Sequence, residues 1–197
     1  AKLITGVKAG GDWVVKKILP ITIICLGFGL DLTLLFGDAA GRVGLVIGVT
    51  SAFFCIVSSV FIGRALGMAT ESSLAIGCGG AICGNSAVVA VSSPLRIRQD
   101  VLAIILATIN ILGVVTFISI PLFSTILGLD EASAGIWAGS TIHAVPQAIS
   151  AGEAIGDEGV IMATTIKLSR VALLVLVIPL CAIVGGSSDE GGRSENP

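Results

Sequence analysis

Charged residues are so thinly spread along this chain that the gaps between them define its elements. An apolar run of about 20 residues is needed to cross a bilayer, and six stretches qualify. They lie near 18–36, 43–63, 72–95, 101–127, 132–152 and 159–184. The first follows Lys16 and Lys17 and contains Asp31. The second is uncharged between Arg42 and Arg64, and at 1.5 Å per residue it reaches about 31 Å. Asp100 and Asp130 bracket the fourth, which carries Asn110 and Pro121. The sixth holds Lys167 and Arg170 in its first half. Short connections predict a single helical bundle over 1–184, with 185–197 as a polar, flexible tail. Both ends read as cuts through a longer protein.

Composition agrees with the pattern. Of 197 residues, 54% are hydrophobic and only 12% charged, against about 25% charged in a soluble domain. Long period-2 alternation is absent, which argues against a barrel. The chain therefore reads as an all-α, multi-pass protein of the plasma or inner membrane. A net charge of −2 gives no reason to expect nucleic acid as a partner. The five cysteines, Cys25, Cys55, Cys78, Cys83 and Cys181, all fall in apolar segments and read as small buried side chains. Neither a zinc pattern nor a disulfide framework emerges. With no catalytic constellation and no P-loop, enzymatic activity and cofactors are not expected. The basic residues pull the orientation two ways. Lys2, Lys8, Lys16 and Lys17 favour a cytoplasmic N-terminus. Six full crossings would then leave Arg42, Arg96 and Arg98 outside, against the rule. A re-entrant 72–95 would return Arg96 and Arg98 inside. Full crossings are favoured here, because two half-helices around a break can still span.

Two of the six stretches carry breaks. Residues 77–86, Gly-Cys-Gly-Gly-Ala-Ile-Cys-Gly-Asn-Ser, are too rich in glycine for a helix facing only lipid. Asn85 and Ser86 are good N-cap residues, so a second half-helix starting there would aim free N–H groups into the membrane interior, a ready anion site. Close helix packing through small residues is the competing reading of these glycines. In the fifth stretch Pro146 disfavours helix at Val145 and predicts a kink or break. His143 is the only histidine, and Gln147 shares its face if the helix persists. An intramembrane histidine relays protons, binds substrate, or hydrogen-bonds a neighbouring carbonyl. Lys167 and Arg170 share a helix face and either hold an anion or snorkel to the interface. Asp31 is a carboxylate for a proton or cation, or a helix-end residue near water; Asn110 suits an interhelical hydrogen bond.

Three stretches together resemble the YeiH-type family of bacterial integral membrane proteins, to which sulfate export is ascribed. They are Leu26-Gly27-Phe28-Gly29-Leu30, then Ala81-Ile82-Cys83-Gly84-Asn85-Ser86-Ala87, then Gly135-Ile136-Trp137-Ala138-Gly139-Ser140-Thr141-Ile142-His143. The last continues with Gln147, Ala151-Gly152, Ala154-Ile155 and Lys167-Leu168-Ser169-Arg170-Val171. The resemblance covers roughly residues 15–185. It implies about ten transmembrane helices in the full protein and a relation to inverted-repeat, antiporter-like transporters. It also implies that about two helices precede Ala1 and several follow Pro197. Where the family usually has an acidic or polar residue after the histidine, this chain has Ala144, and Pro146 precedes Gln147. That departure weighs against a carboxylate–histidine relay and favours anion binding.

The expected function is secondary transport of a small anion, with sulfate and organosulfonates as candidates. The expected site comprises Gly84, Asn85, Ser86, His143 and Gln147, with Lys167 and Arg170 as counter-charges. One rival is a cation/proton exchanger using Asp31; another is a scaffold subunit that transports nothing. The partners expected are a small inorganic or organic anion and the lipid bilayer, with homodimerisation open.

Overall fold

The computed structural model describes residues 39–191, together with Ile21 and Cys25. The first predicted stretch, including Asp31, otherwise lies outside the described residues. The described chain is helical, without strands. Its elements are α1 (Ala39–Ala65), α2 (Thr70–Ala81), α3 (Asn85–Ser92), α4 (Gln99–Ile126), α5 (Glu131–Thr141), α6 (Val145–Ile155), α7 (Asp157–Ala172) and α8 (Leu174–Gly191). Among the described residues, three helical stretches are long and apolar enough to cross a membrane: Gly41–Ala65, Gln99–Ile126 and Asp157–Ile183. The last is α7 continued by α8 through Leu173.

The predicted second and fourth stretches are single helices, and the sixth is nearly so. The third and fifth differ from expectation. Each breaks in the middle, as the sequence predicts, but then folds back instead of continuing across. The contacts along α7 establish this for α5 and α6. A Cβ on Gly135 would stand 2.5 Å from the Gly159 carbonyl oxygen, and one on Gly139 2.5 Å from that of Ala163. Thus α5 runs parallel to α7. A Cβ on Gly152 would stand 2.6 Å from the Val160 Cα, so α6 runs antiparallel to it. The hairpin closes at its base, where the Glu131 carboxylate accepts the Glu158 N–H at 3.1 Å.

The α2–α3 pair enters from the other end. α1 lies against Ile136 and Ile166 at Gly44, then against Gly77 at Ile56 and Ser59, and against Ser73 at Gly63. α2 therefore starts beside the end of α1 and runs back towards the middle. α4 meets Gly79 and Gly84 through Ile109, then Gln147 through Gly113, and finally joins the α5–α6 core at Ile120. Since α4 follows α3 after a six-residue link, α3 must exit at the end where α2 began. Cys181 of α8 accordingly clusters with Cys78 of α2 and Val88 of α3. Two helical hairpins thus enter the bundle from opposite ends, held by three long helices. With this return the small residues of α2 pack against α1 and those of α5 and α6 against α7, while Phe53, Phe54, Phe61 and Ile118 stay exposed.

Local signals fix the bases. Asp130 caps α5 by accepting the Ser133 N–H at 2.9 Å, and that bond holds its carboxyl below the usual carboxylate range. At the opposite end Arg98 pairs with Asp100, both exposed. Charge is divided between the ends. Arg64, Arg96 and Arg98 lie at the base of the α2–α3 hairpin with Glu71 and Asp100. Asp130, Glu131, Glu153, Asp157 and Glu158 lie at the base of the α5–α6 hairpin with Arg42.

Re-entrance has a direct test. Single cysteines at Leu66, Arg98, Leu129 and Ala154, in a background with the native cysteines replaced, are labelled with a membrane-impermeant maleimide. Positions 66 and 98 are expected to react from one side, and 129 and 154 from the other. Six full crossings would instead place 66 and 98 on opposite sides.

Candidate functional site

The two hairpin tips meet at mid-bundle. At the first, α2 ends at Ala81, and Ile82-Cys83-Gly84 turn the chain into α3. Gly84 adopts φ +68° and ψ −125°, a region open essentially to glycine. It sits against the second tip, since a Cβ there would lie 3.3 Å from the His143 Cβ. Asn85 begins α3 where expected, but the cap position belongs to Gly84, and no side chain caps the helix. The close approach to His143 explains this: the cap must turn without a side chain. At the second tip α5 ends at Thr141 and α6 starts at Val145. Pro146 falls in the first turn of α6, where its missing N–H costs nothing. The helix therefore breaks, and His143 and Gln147 do not share one helical face. Gly113 of α4 brings them together instead, because a Cβ on it would lie 3.0 Å from Gln147 Oε1 and 3.7 Å from the His143 Cβ.

Four helix ends converge here. α3 and α6 point their N-termini inward. Their first internal bonds come from the Val88 and Ala148 N–H groups, which leaves the first-turn donors at Asn85, Ser86, Ala87, Val145 and Gln147 unclaimed by the helices. α2 and α5 bring their C-terminal carbonyls to the same place, and these need donors. Two residues of α7 supply them. Lys167 Nζ donates to the Ile142 carbonyl at 2.5 Å. Arg170 donates through Nη1 to the Ser140 carbonyl and through Nη2 to that of Gly80, the latter at 3.4 Å. Arg170 thus joins the two hairpins. Their relative exposures are 0% for Lys167 and 1% for Arg170, so neither snorkels to an interface. A cation beside helix C-termini also offsets the negative dipole ends.

Of the expected site residues, Gly84, Asn85, His143, Gln147, Lys167 and Arg170 gather at the tips. Ser86 follows in the first turn of α3. Asn85 Nδ2 donates to Asn110 Oδ1 on α4 at 2.6 Å, the interhelical bond expected of Asn110. Several buried polar atoms keep no partner among the described residues: Asn85 Oδ1, His143 Nδ1, Gln147 Oε1 and Arg170 Nε. All belong to this cluster. Buried polar groups are normally satisfied, so orphans concentrated at one place mark a place for a ligand or water. Among the described residues no carboxylate is buried, so the two buried cations have no acidic counterpart there.

Sequence reasoning missed the carbonyls of Gly80, Ser140 and Ile142, and the contact residue Gly113. Backbone acceptors carry no side-chain signal. Gly113 stands alone in an otherwise ordinary apolar helix.

A family model described as conserved hypothetical protein 698 matches residues 1–196. A UPF0324 membrane protein of Agrobacterium fabrum is 34% identical over 186 residues, covering 93% of this chain and 52% of the relative. One from Porphyromonas gingivalis is 36% identical over 163 residues, covering 81% and 48%. One from Photobacterium profundum is 34% identical over 169 residues, covering 86% and 51%. The chain spans about half the length of these curated relatives. No solved structure matches.

Substituting Gly84 tests the tip contact. Gly84→Ala places a side chain in a backbone region reserved for glycine and against His143. It is expected to destabilise the protein by about 1–3 kcal/mol, read as a lowered unfolding temperature in detergent. Gly128→Ala also changes a glycine of positive φ, but one with open space around it. It is expected to cost less; equal losses would contradict a packed tip.

Proposed function

We propose that this chain, which belongs to the conserved hypothetical protein 698 family of UPF0324 membrane proteins and thereby to the YeiH-type family its motifs resemble, forms the core of a secondary transporter for a small anion. One observation carries the reading. A buried lysine, a buried arginine and the N-termini of two half-helices converge where no described carboxylate is buried. Unclaimed N–H groups at helix N-termini favour negative charge, and broken helices at mid-membrane are where transporters place substrate. The hairpin–helix order also supports an inverted repeat. The α2–α3 hairpin followed by α4, and the α5–α6 hairpin followed by α7 and α8, enter from opposite ends. Alternating access would then open one hairpin or the other around a fixed centre.

The charge division supports an orientation. The arginine-bearing base of the first hairpin would face the cytoplasm and the acidic base of the second the opposite side. Lys2, Lys8, Lys16 and Lys17 fit this orientation if the first stretch crosses, and Arg42 is its one exception. The predicted location is the plasma or inner membrane.

The test is flux of radiolabelled sulfate in proteoliposomes carrying the intact protein, under an imposed pH gradient. Flux is expected, and Asn85→Leu and His143→Ala should reduce it about ten-fold or more, since each removes an oriented polar group from the centre. Sodium flux with proton counterflow, abolished by Asp31→Asn, would favour the cation/proton exchanger instead. No flux of either kind from well-folded protein would leave the scaffold reading.

A further inference from the structure

The donor pattern of Arg170 narrows which anions the centre would take. A guanidinium presents donors along distinct edges. One edge pairs Nε with Nη2, whose N–H bonds run parallel and match two oxygens of one oxyanion. In this protein Nη1 is committed to the Ser140 carbonyl. Nε has no partner among the described residues, although Arg170 is only 1% exposed. Nη2 carries two N–H bonds, and its one partner, the Gly80 carbonyl, stands at 3.4 Å. Nε is thus free, and Nη2, its neighbour on the bidentate edge, is held only by that long contact.

Lys167 differs. Its ammonium is compact and already bound to the Ile142 carbonyl at 2.5 Å. That bond anchors the peptide immediately before His143 and so positions the second tip. The geometry points to a division of roles: Lys167 is a positioning residue, and Arg170 is the anion ligand, taking an oxyanion of carboxylate, sulfonate or sulfate type side-on through Nε and Nη2. This rests on the proposed anion function and deepens it, because it separates oxyanions from halides of the same charge. A spherical halide cannot accept two parallel bonds as well as a pair of oxygens does.

The test compares methanesulfonate with bromide, both monovalent, by calorimetric titration of the intact protein in lipid nanodiscs. The wild-type protein is expected to bind methanesulfonate about ten-fold or more tightly than bromide, the size of effect expected for one good bidentate contact. Arg170→Lys keeps the charge but not the fork, and is expected to bring the ratio within about three-fold. Should that variant not fold, the ¹⁵N resonance of Arg170 Nε in the wild-type protein gives a second readout. It is expected to shift with methanesulfonate and stay in place with bromide. Equal binding of the two anions, a preference that survives Arg170→Lys, or an unmoved Nε signal would each overturn this inference while leaving anion binding intact. Folded wild-type protein that binds neither anion would overturn both readings.

Discussion

The ends of an interrupted helix need hydrogen-bond partners, and deep in an apolar bundle water is scarce. Everything at the centre of this fold answers to that constraint. α2 and α5 stop half-way through the bundle, and their last carbonyls would be costly if left bare. Lys167 and Arg170 reach these carbonyls from α7. The burial of two cations is therefore tied to the existence of the two breaks. Remove the breaks and the cations have no carbonyls to bind; remove the cations and both hairpin tips lose donors. Glycines allow the arrangement, because only a bare backbone lets α5 and α6 approach α7 closely enough for its side chains to reach the tip.

The same constraint sets the chemistry. Carbonyls at the hairpin C-termini consume part of the donor capacity of the two cations. The N-termini of α3 and α6 contribute donors of their own, and the orphaned atoms of Asn85, His143, Gln147 and Arg170 surround the meeting point. The result is a polar centre, positive among the described residues, enclosed in an apolar bundle. A positive centre with no carboxylate buried among the described residues suits an anion more readily than a cation, which is the basis of the proposed transport function.

Much of this was legible in the sequence, and the limits have physical causes. The glycine-rich run up to Asn85 and the proline after His143 marked both breaks, because backbone conformation is a local property. Uncharged lengths located α1 and α4 for the same reason. The direction of the chain after each break was not legible. An apolar stretch of about 20 residues fits one crossing or a hairpin of two half-crossings equally well. The choice is made by contacts distant in sequence, such as Gly139 on Ala163 and Gly63 on Ser73. Lys167 and Arg170 stand out in the sequence as candidates, yet their partners lie 25 to 90 residues away. Spacing alone could not separate a buried clamp from a snorkelling pair. The orientation conflict posed by Arg96 and Arg98 had the same origin, and it disappears once 72–95 folds back.

The central claim is that the two hairpin tips touch. Solid-state NMR of the wild-type protein in lipid tests it most directly, because His143 is the only histidine and its signals are unambiguous. With uniform ¹³C labelling, a through-space cross-peak between the His143 Cβ and the Gly84 Cα is expected, accompanied by contacts to Gly113 and Gln147. A His143 Cβ that correlates only with its sequence neighbours and with lipid would contradict the meeting of the tips, and with it the shared site.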